Sequence, residues 1–200
     1  MGLRTKYAEI NEACYVEEKE QGDFMISGAV VARGFGLGVL LILFWKVFAR
    51  GTMPEPPGLL LAILDGANLI FHEAGHVLFS PFGDFMQYLG GSLMQVLIPG
   101  ICAVYFRMHE QPASSAVALF WAGESLTNVA IYVADGRRME LPLIGGDHDW
   151  NYLLDRLNLL NQAESLGRFV SVLGMIAILF SLGMLIADLR RTWKQAQVDQ

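Results

Sequence analysis

The residues His72-Glu73-Ala74-Gly75-His76 form an H-E-x-x-H motif, two imidazoles and a carboxylate at a spacing that suits a metal-dependent hydrolase. On a helix, residues four apart share a face, so His72 and His76 can hold one metal ion. Zn2+ is the ion this donor type favours, and Glu73 is then placed as a general base toward an attacking water. A soluble helix could carry the same residues as an ordinary polar cluster. Here they lie inside a hydrophobic stretch long enough to cross a membrane, where ionisable side chains are costly and mostly functional.

A catalytic zinc takes three protein ligands and leaves a position open, so the motif is one ligand short. Two alternatives stand for the third. Asp135 closes a later hydrophobic stretch, and Glu124, Asn128, Tyr132 and Asp135 fall within a stripe of about 80° on that helix. Asp65, Asn68, His72 and His76 make a matching stripe on the motif helix, and two polar stripes on apolar helices are expected to face each other. His148, in the sequence Gly145-Gly146-Asp147-His148-Asp149-Trp150, is the other alternative: a glycine-flanked loop can fold back over the ion, with Asp149 orienting the imidazole. Competing with these are an Asp135 paired to Arg137 or Arg138, and an interfacial turn anchored by Trp150 and Tyr152. Asn128 is a candidate catalytic residue, as a donor to the substrate backbone or to a developing oxyanion. Glu124 is expected to be a neutral acid paired with Asn128.

The elements that must position these groups read as helices. Five hydrophobic spans are expected, at about residues 26–48, 59–82, 85–106, 113–134 and 166–189. Pro54, Pro56 and Pro57 break the chain after the first span, and Pro81 and Gly83 end the second. The fold class is therefore all-α, a polytopic membrane protein with about five transmembrane helices. Residues 1–25 read as an acidic leader, 26–189 as a single transmembrane domain with a polar loop at 135–165, and 190–200 as a basic tail. Five spans place the N-terminus, the loop near residues 80–84 and the polar loop on one side of the membrane. Lys and Arg divide almost evenly between the two sides and so give no orientation.

Composition agrees with this architecture and excludes others. The chain is 54% hydrophobic and 17% charged, with a mean hydropathy of +0.40. Those values are unusual for a soluble domain of this length. The net charge of −6 comes largely from Glu9, Glu12, Glu17, Glu18, Glu20 and Asp23. With no basic patch to neutralise phosphates, no nucleic-acid partner is expected. The opening residues are polar and do not read as a signal peptide. Cys14 and Cys102 are the only cysteines, one in the leader and one in a span, so neither a structural disulfide nor a cysteine metal site is expected.

With H-E-A-G-H on a membrane helix, Asp135-Gly136 two spans later and Asn128 upstream of it, residues 59–136 resemble the site-2 protease family of intramembrane zinc metalloproteases. The segment Val129-Ala130-Ile131-Tyr132-Val133-Ala134 departs from that family in lacking prolines, and Arg137 and Arg138 directly follow Gly136. The resemblance implies zinc held by His72, His76 and Asp135, Glu73 as the base, and cleavage of a peptide bond in or near the bilayer. It also implies a plasma or inner membrane, with the active site on the cytoplasmic side. Two other functions use the same residues. One is a zinc-dependent membrane hydrolase of a non-peptide substrate such as a lipid-linked amide or ester. The other is a non-enzymatic membrane scaffold or ion-conducting protein. The partners expected under the first reading are the bilayer and a membrane-protein or peptide substrate.

Overall fold

The computed structural model describes residues 28–52, 58–141, 143 and 147–198. The acidic leader, Cys14, the three prolines before the motif helix and Gly145-Gly146 lie outside the described residues. Among the described residues six α-helices follow in order: α1 Gly28–Arg50, α2 Gly58–Phe79, α3 Asp84–Met108, α4 Pro112–Asp135, α5 Asp149–Arg156 and α6 Ala163–Val198. There is no β-strand among the described residues. The fold is all-α and polytopic, a membrane protein.

Among the described residues four helices, α1, α3, α4 and the segment containing α6, are long and apolar enough to cross a membrane. This differs from the expected five. α2 has 22 residues, but Asp65, Asn68, His72, Glu73 and His76 interrupt its leucines and dilute its apolar character. α6 continues through the basic residues Arg190, Arg191 and Lys194 to Val198, so most of the expected tail is helix.

The boundaries follow local chemistry. A short 3-10 turn at Ser80–Phe82 carries Pro81 in its first turn. Gly83 then adopts φ 92 to redirect the chain, a backbone region that suits glycine. α4 starts at Pro112, where the missing N–H costs nothing because the first turn leaves its donors unpaired.

α4 is the centre of the molecule. In its most apolar 18-residue window 72% of the residues are buried by protein, against 6% in α1. Small residues let α6 lie directly on it. A Cβ placed on Gly174 would stand 2.7 Å from the Gly123 carbonyl oxygen, and one on Gly167 would stand 2.6 Å from the Ala134 Cβ. Close approach through glycine is how membrane helices gain dispersion energy where no hydrophobic driving force acts between them. Ser181 adds a hydroxyl bond to the Ala116 carbonyl, 2.7 Å.

A core of Leu40, Val47, Leu61, Ala116, Phe120, Ile178, Leu182 and Leu185 ties α1, α2, α4 and α6 together. An ion pair between Arg33 and Asp188 joins α1 to α6. Outward-facing Phe35, Ile42, Trp45, Ile101, Val104, Phe169, Ile176 and Phe180 remain exposed, as lipid-facing surfaces require. α2 and α3 form a hairpin that meets at Gly75 and Gly90, and a Cβ on Gly90 would lie 2.7 Å from the Gly75 carbonyl oxygen. That contact brings the motif face of α2 against α3.

Candidate metal centre

The loop that follows α4 returns to the motif. It contains α5, whose first residue, Asp149, reaches both motif histidines. Asp149 Oδ2 stands 2.8 Å from His72 Nε2 and 3.2 Å from His76 Nε2. His72, His76 and Asp149 each offer one ligand atom, all within 4.8 Å of one another. With metal–ligand bonds of about 2.0–2.1 Å, donors around a tetrahedral ion stand about 3.3 Å apart, so this set has the right dimensions.

The hydrogen bonds behind the imidazoles fix what the front atoms can be. His76 Nδ1 lies 2.8 Å from the Gln87 carbonyl oxygen, which only accepts, so that nitrogen carries the proton. His72 Nδ1 lies 2.8 Å from Gln95 Oε1. The Gln95 amide nitrogen donates to the Ser125 carbonyl, 3.4 Å, and to Asn128 Oδ1, 3.2 Å. Its oxygen must therefore face His72 and accept. Both Nε2 atoms are left pointing at one carboxylate oxygen. Neutral imidazoles would set lone pairs against lone pairs there; a proton on His72 Nε2 donating to Asp149 relieves one of the two contacts, and a metal cation among the three atoms relieves both. Two imidazole nitrogens and a carboxylate oxygen, with both Nδ1 protons held from behind, suit a divalent transition ion.

Gly91 makes room for this. A Cβ at that position would stand 2.7 Å from His72 Nε2 and Cε1 and 2.8 Å from His76 Nε2. The two rings pack edge to face, with centroids 4.7 Å apart.

A chain of polar contacts extends from His72 to Arg50 at the end of α1. Asn128 Nδ2 donates to Asp65 Oδ1, 2.8 Å, and Arg50 Nη1 donates to Asp65 Oδ2, 2.9 Å. Arg50, Asp65, Asn128, Gln95 and His72 thus form one connected series across α1, α2, α4 and α3. Nearby, Asn68 donates to Glu124 Oε2, 2.9 Å, and accepts from the Trp121 indole, 2.8 Å. The facing polar stripes expected from sequence meet in these pairs. Glu124 finds Asn68 in place of the expected Asn128.

Neither expected third ligand joins the group. Asp135 is buried, and its carboxylate accepts the backbone N–H of Glu140, 3.1 Å, and of Leu141, 3.0 Å. His148 is also buried. Its Nδ1 accepts from the Asn151 N–H, 3.2 Å, and its Nε2 faces Asp135 Oδ2, 3.2 Å. The two candidates engage each other, and the residue next to His148 takes the place at the motif. Asn128 is likewise committed to Asp65 and Gln95.

Glu73 is exposed on the motif face and lines the same cavity as His72, His76 and Asp149. The cavity has a volume of 680 Å³, and Tyr88, Asp147, Arg50 and Asp65 also line it. That size is typical of a small-molecule or peptide site.

Within the expected polar loop the structure forms a helix, α5, and the sequence carries a signal for it. Asp149 sits in its first turn and Arg156 in its last, and its Leu153 and Leu154 are buried. Comparison of the chain with protein-family models, with curated proteins and with solved structures returned no match.

Proposed function

We propose that the protein is a membrane-embedded zinc metalloprotease that hydrolyses peptide bonds in or near the bilayer, with zinc held by His72, His76 and Asp149. The observation that carries this reading is the convergence of His72 Nε2, His76 Nε2 and Asp149 Oδ2 beside Glu73 in one cavity. When bound, the ion supplies Lewis-acid activation of water and of a carbonyl group.

The chain's own residues do the rest. Glu73 accepts the proton of the attacking water and returns it to the leaving amine. Gln95 and the Gln87 carbonyl fix the tautomer and aim of the two imidazoles. Asn128 lines the cavity and holds Gln95 and Asp65, so it orients the residue behind His72 and lies within reach of a substrate backbone. The apolar exterior keeps the cavity within a low-dielectric setting, where a fixed charge acts more strongly than in water. A membrane segment or hydrophobic peptide is the substrate class this setting admits, because the cavity opens from a molecule whose outer surface faces lipid.

The test is cleavage of a transmembrane peptide substrate in detergent or vesicles by wild type and by Glu73→Gln. The variant keeps the side-chain shape without the base, so it retains zinc and loses activity by at least about 100-fold, the lower end for a general base. Cleavage by the variant near the wild-type rate removes the hydrolytic reading.

A further inference from the structure

We propose that Asp135 and His148 form a buried latch that holds Asp149 against His72 and His76, so that both are positioning residues of the metal centre. The inference rests on the assignment of Asp149 to that centre. Asp149 opens α5, a helix of 8 residues. A helix this short is not stable by itself, so its place is set by what ties it down.

The tie is specific. His148 caps α5, its Nδ1 accepting the Asn151 N–H. The proton of the neutral imidazole therefore sits on Nε2, which donates to Asp135 Oδ2, 3.2 Å. Asp135 ends α4, the most enclosed of the four long apolar helices. Its carboxylate also gathers the backbone N–H groups of Glu140 and Leu141, so one side chain shapes the turn leaving α4 and grips the residue before the ligand. Both nitrogens of His148 are spent on these bonds, and it has no donor atom left for an ion.

Neighbouring contacts support the same placement. Asn151 Nδ2 donates to the Gly136 carbonyl, 2.8 Å. A Cβ on Gly136 would stand 3.1 Å from both Leu154 Cδ1 and the Trp150 carbonyl oxygen, so α5 rests closely on the end of α4. Consecutive Cα atoms are about 3.8 Å apart, and a shift of the His148 ring is passed to Asp149 with little slack.

A helix cap alone would give some of this stability, and His148→Asn separates the two roles. Asn caps helices well, but it is too short to keep the bond to Asp135. The test uses the full chain in detergent, loaded with Co2+ for its visible absorption and with Zn2+ for affinity by chelator competition. Circular dichroism monitors helix content. Wild type shows the intense band of low-coordinate Co2+, and Asp149→Ala shifts and weakens it. His148→Asn and Asp135→Asn each move the band toward that of Asp149→Ala and weaken Zn2+ binding about 10–100-fold, the usual cost of losing an outer partner of a ligand. Combined with Asp149→Ala, neither adds a further loss, because each acts through Asp149. Asn151→Ala loosens α5 without touching the buried pair and gives the same spectral change in smaller measure, which covers the case in which a latch variant unfolds. Wild-type band and affinity in the folded latch variants overturn the latch, as does additivity with Asp149→Ala. An Asp149→Ala protein with the wild-type band locates the failure in the ligand assignment, and wild type without bound Co2+ locates it in the metal centre; either result overturns the latch as well.

Discussion

His72 and His76 reach the candidate metal centre from one continuous helix, while Asp149 reaches it from a short helix suspended in the loop after α4. The first half is stiff by construction. Its two side chains share an α2 face, are braced from behind by α3, and occupy space that Gly91 leaves open. The second half has no such backbone and depends on tethers to α4 and α3, namely His148 to Asp135, Asn151 to Gly136, Trp150 to Ser92 at 2.9 Å, and Tyr88 to Asp147 at 3.0 Å. A metal site can therefore be divided into a half fixed by helix periodicity and a half fixed by docking. The two should respond differently to substitution.

On the stiff half the largest effect belongs to Gly91. Gly91→Ala brings a methyl carbon to 2.7 Å from His72 Nε2 and 2.8 Å from His76 Nε2, so both rings must shift from their places. The variant is expected to lose zinc as fully as His76→Ala when both are analysed after the same purification. Zinc retained in Gly91→Ala would show that the rings have freedom the packing denies.

Gln95→Leu comes next. It removes the acceptor behind His72 while keeping the side chain's bulk, and is expected to weaken zinc about 10–100-fold. It also leaves His72 Nδ1 without its partner and cuts the series running to Arg50. Isothermal or chelator-competition titration reads this, and an unchanged affinity would break the claim that α3 braces the motif. The smallest effect lies on the docked half. Tyr88→Phe deletes one exposed hydroxyl bond to Asp147, worth about 1 kcal/mol or less, and is expected to change zinc affinity by no more than several-fold. A loss as large as that of Gln95→Leu would mean that the docked half is held at its rim.

The same division explains what could be read from sequence. The motif, the helical hairpin bearing it and the facing stripes rest on a repeat of 3.6 residues, and the pairs Asp65–Asn128 and Asn68–Glu124 meet as that periodicity suggests. The third position of the centre depends on where a loop lands. Asp135, His148 and Asp149 all had suitable donor chemistry, and spacing along the chain does not say which of them turns toward the motif. The structure separates them by hydrogen bonding: Asp135 is taken up by His148 and the Glu140 and Leu141 N–H groups, His148 by Asp135 and the Asn151 N–H, and Asp149 is left facing the imidazoles. The paired glycines Gly90-Gly91 on α3, opposite the two histidines, are a sequence signal that room is kept for the rings. From its leucines α2 reads as a fifth apolar span. Its polar face is the reason it stands apart from the four apolar helices.

The central claim is that His72, His76 and Asp149 together hold one metal ion. Zinc per chain, measured by elemental analysis of detergent-purified wild type beside His76→Ala and Asp149→Ala, tests it most directly. The account predicts about one zinc in wild type, as one closed set of three ligands requires, and little in either variant. Full zinc in Asp149→Ala, or none in a folded wild type supplied with the metal, would contradict it.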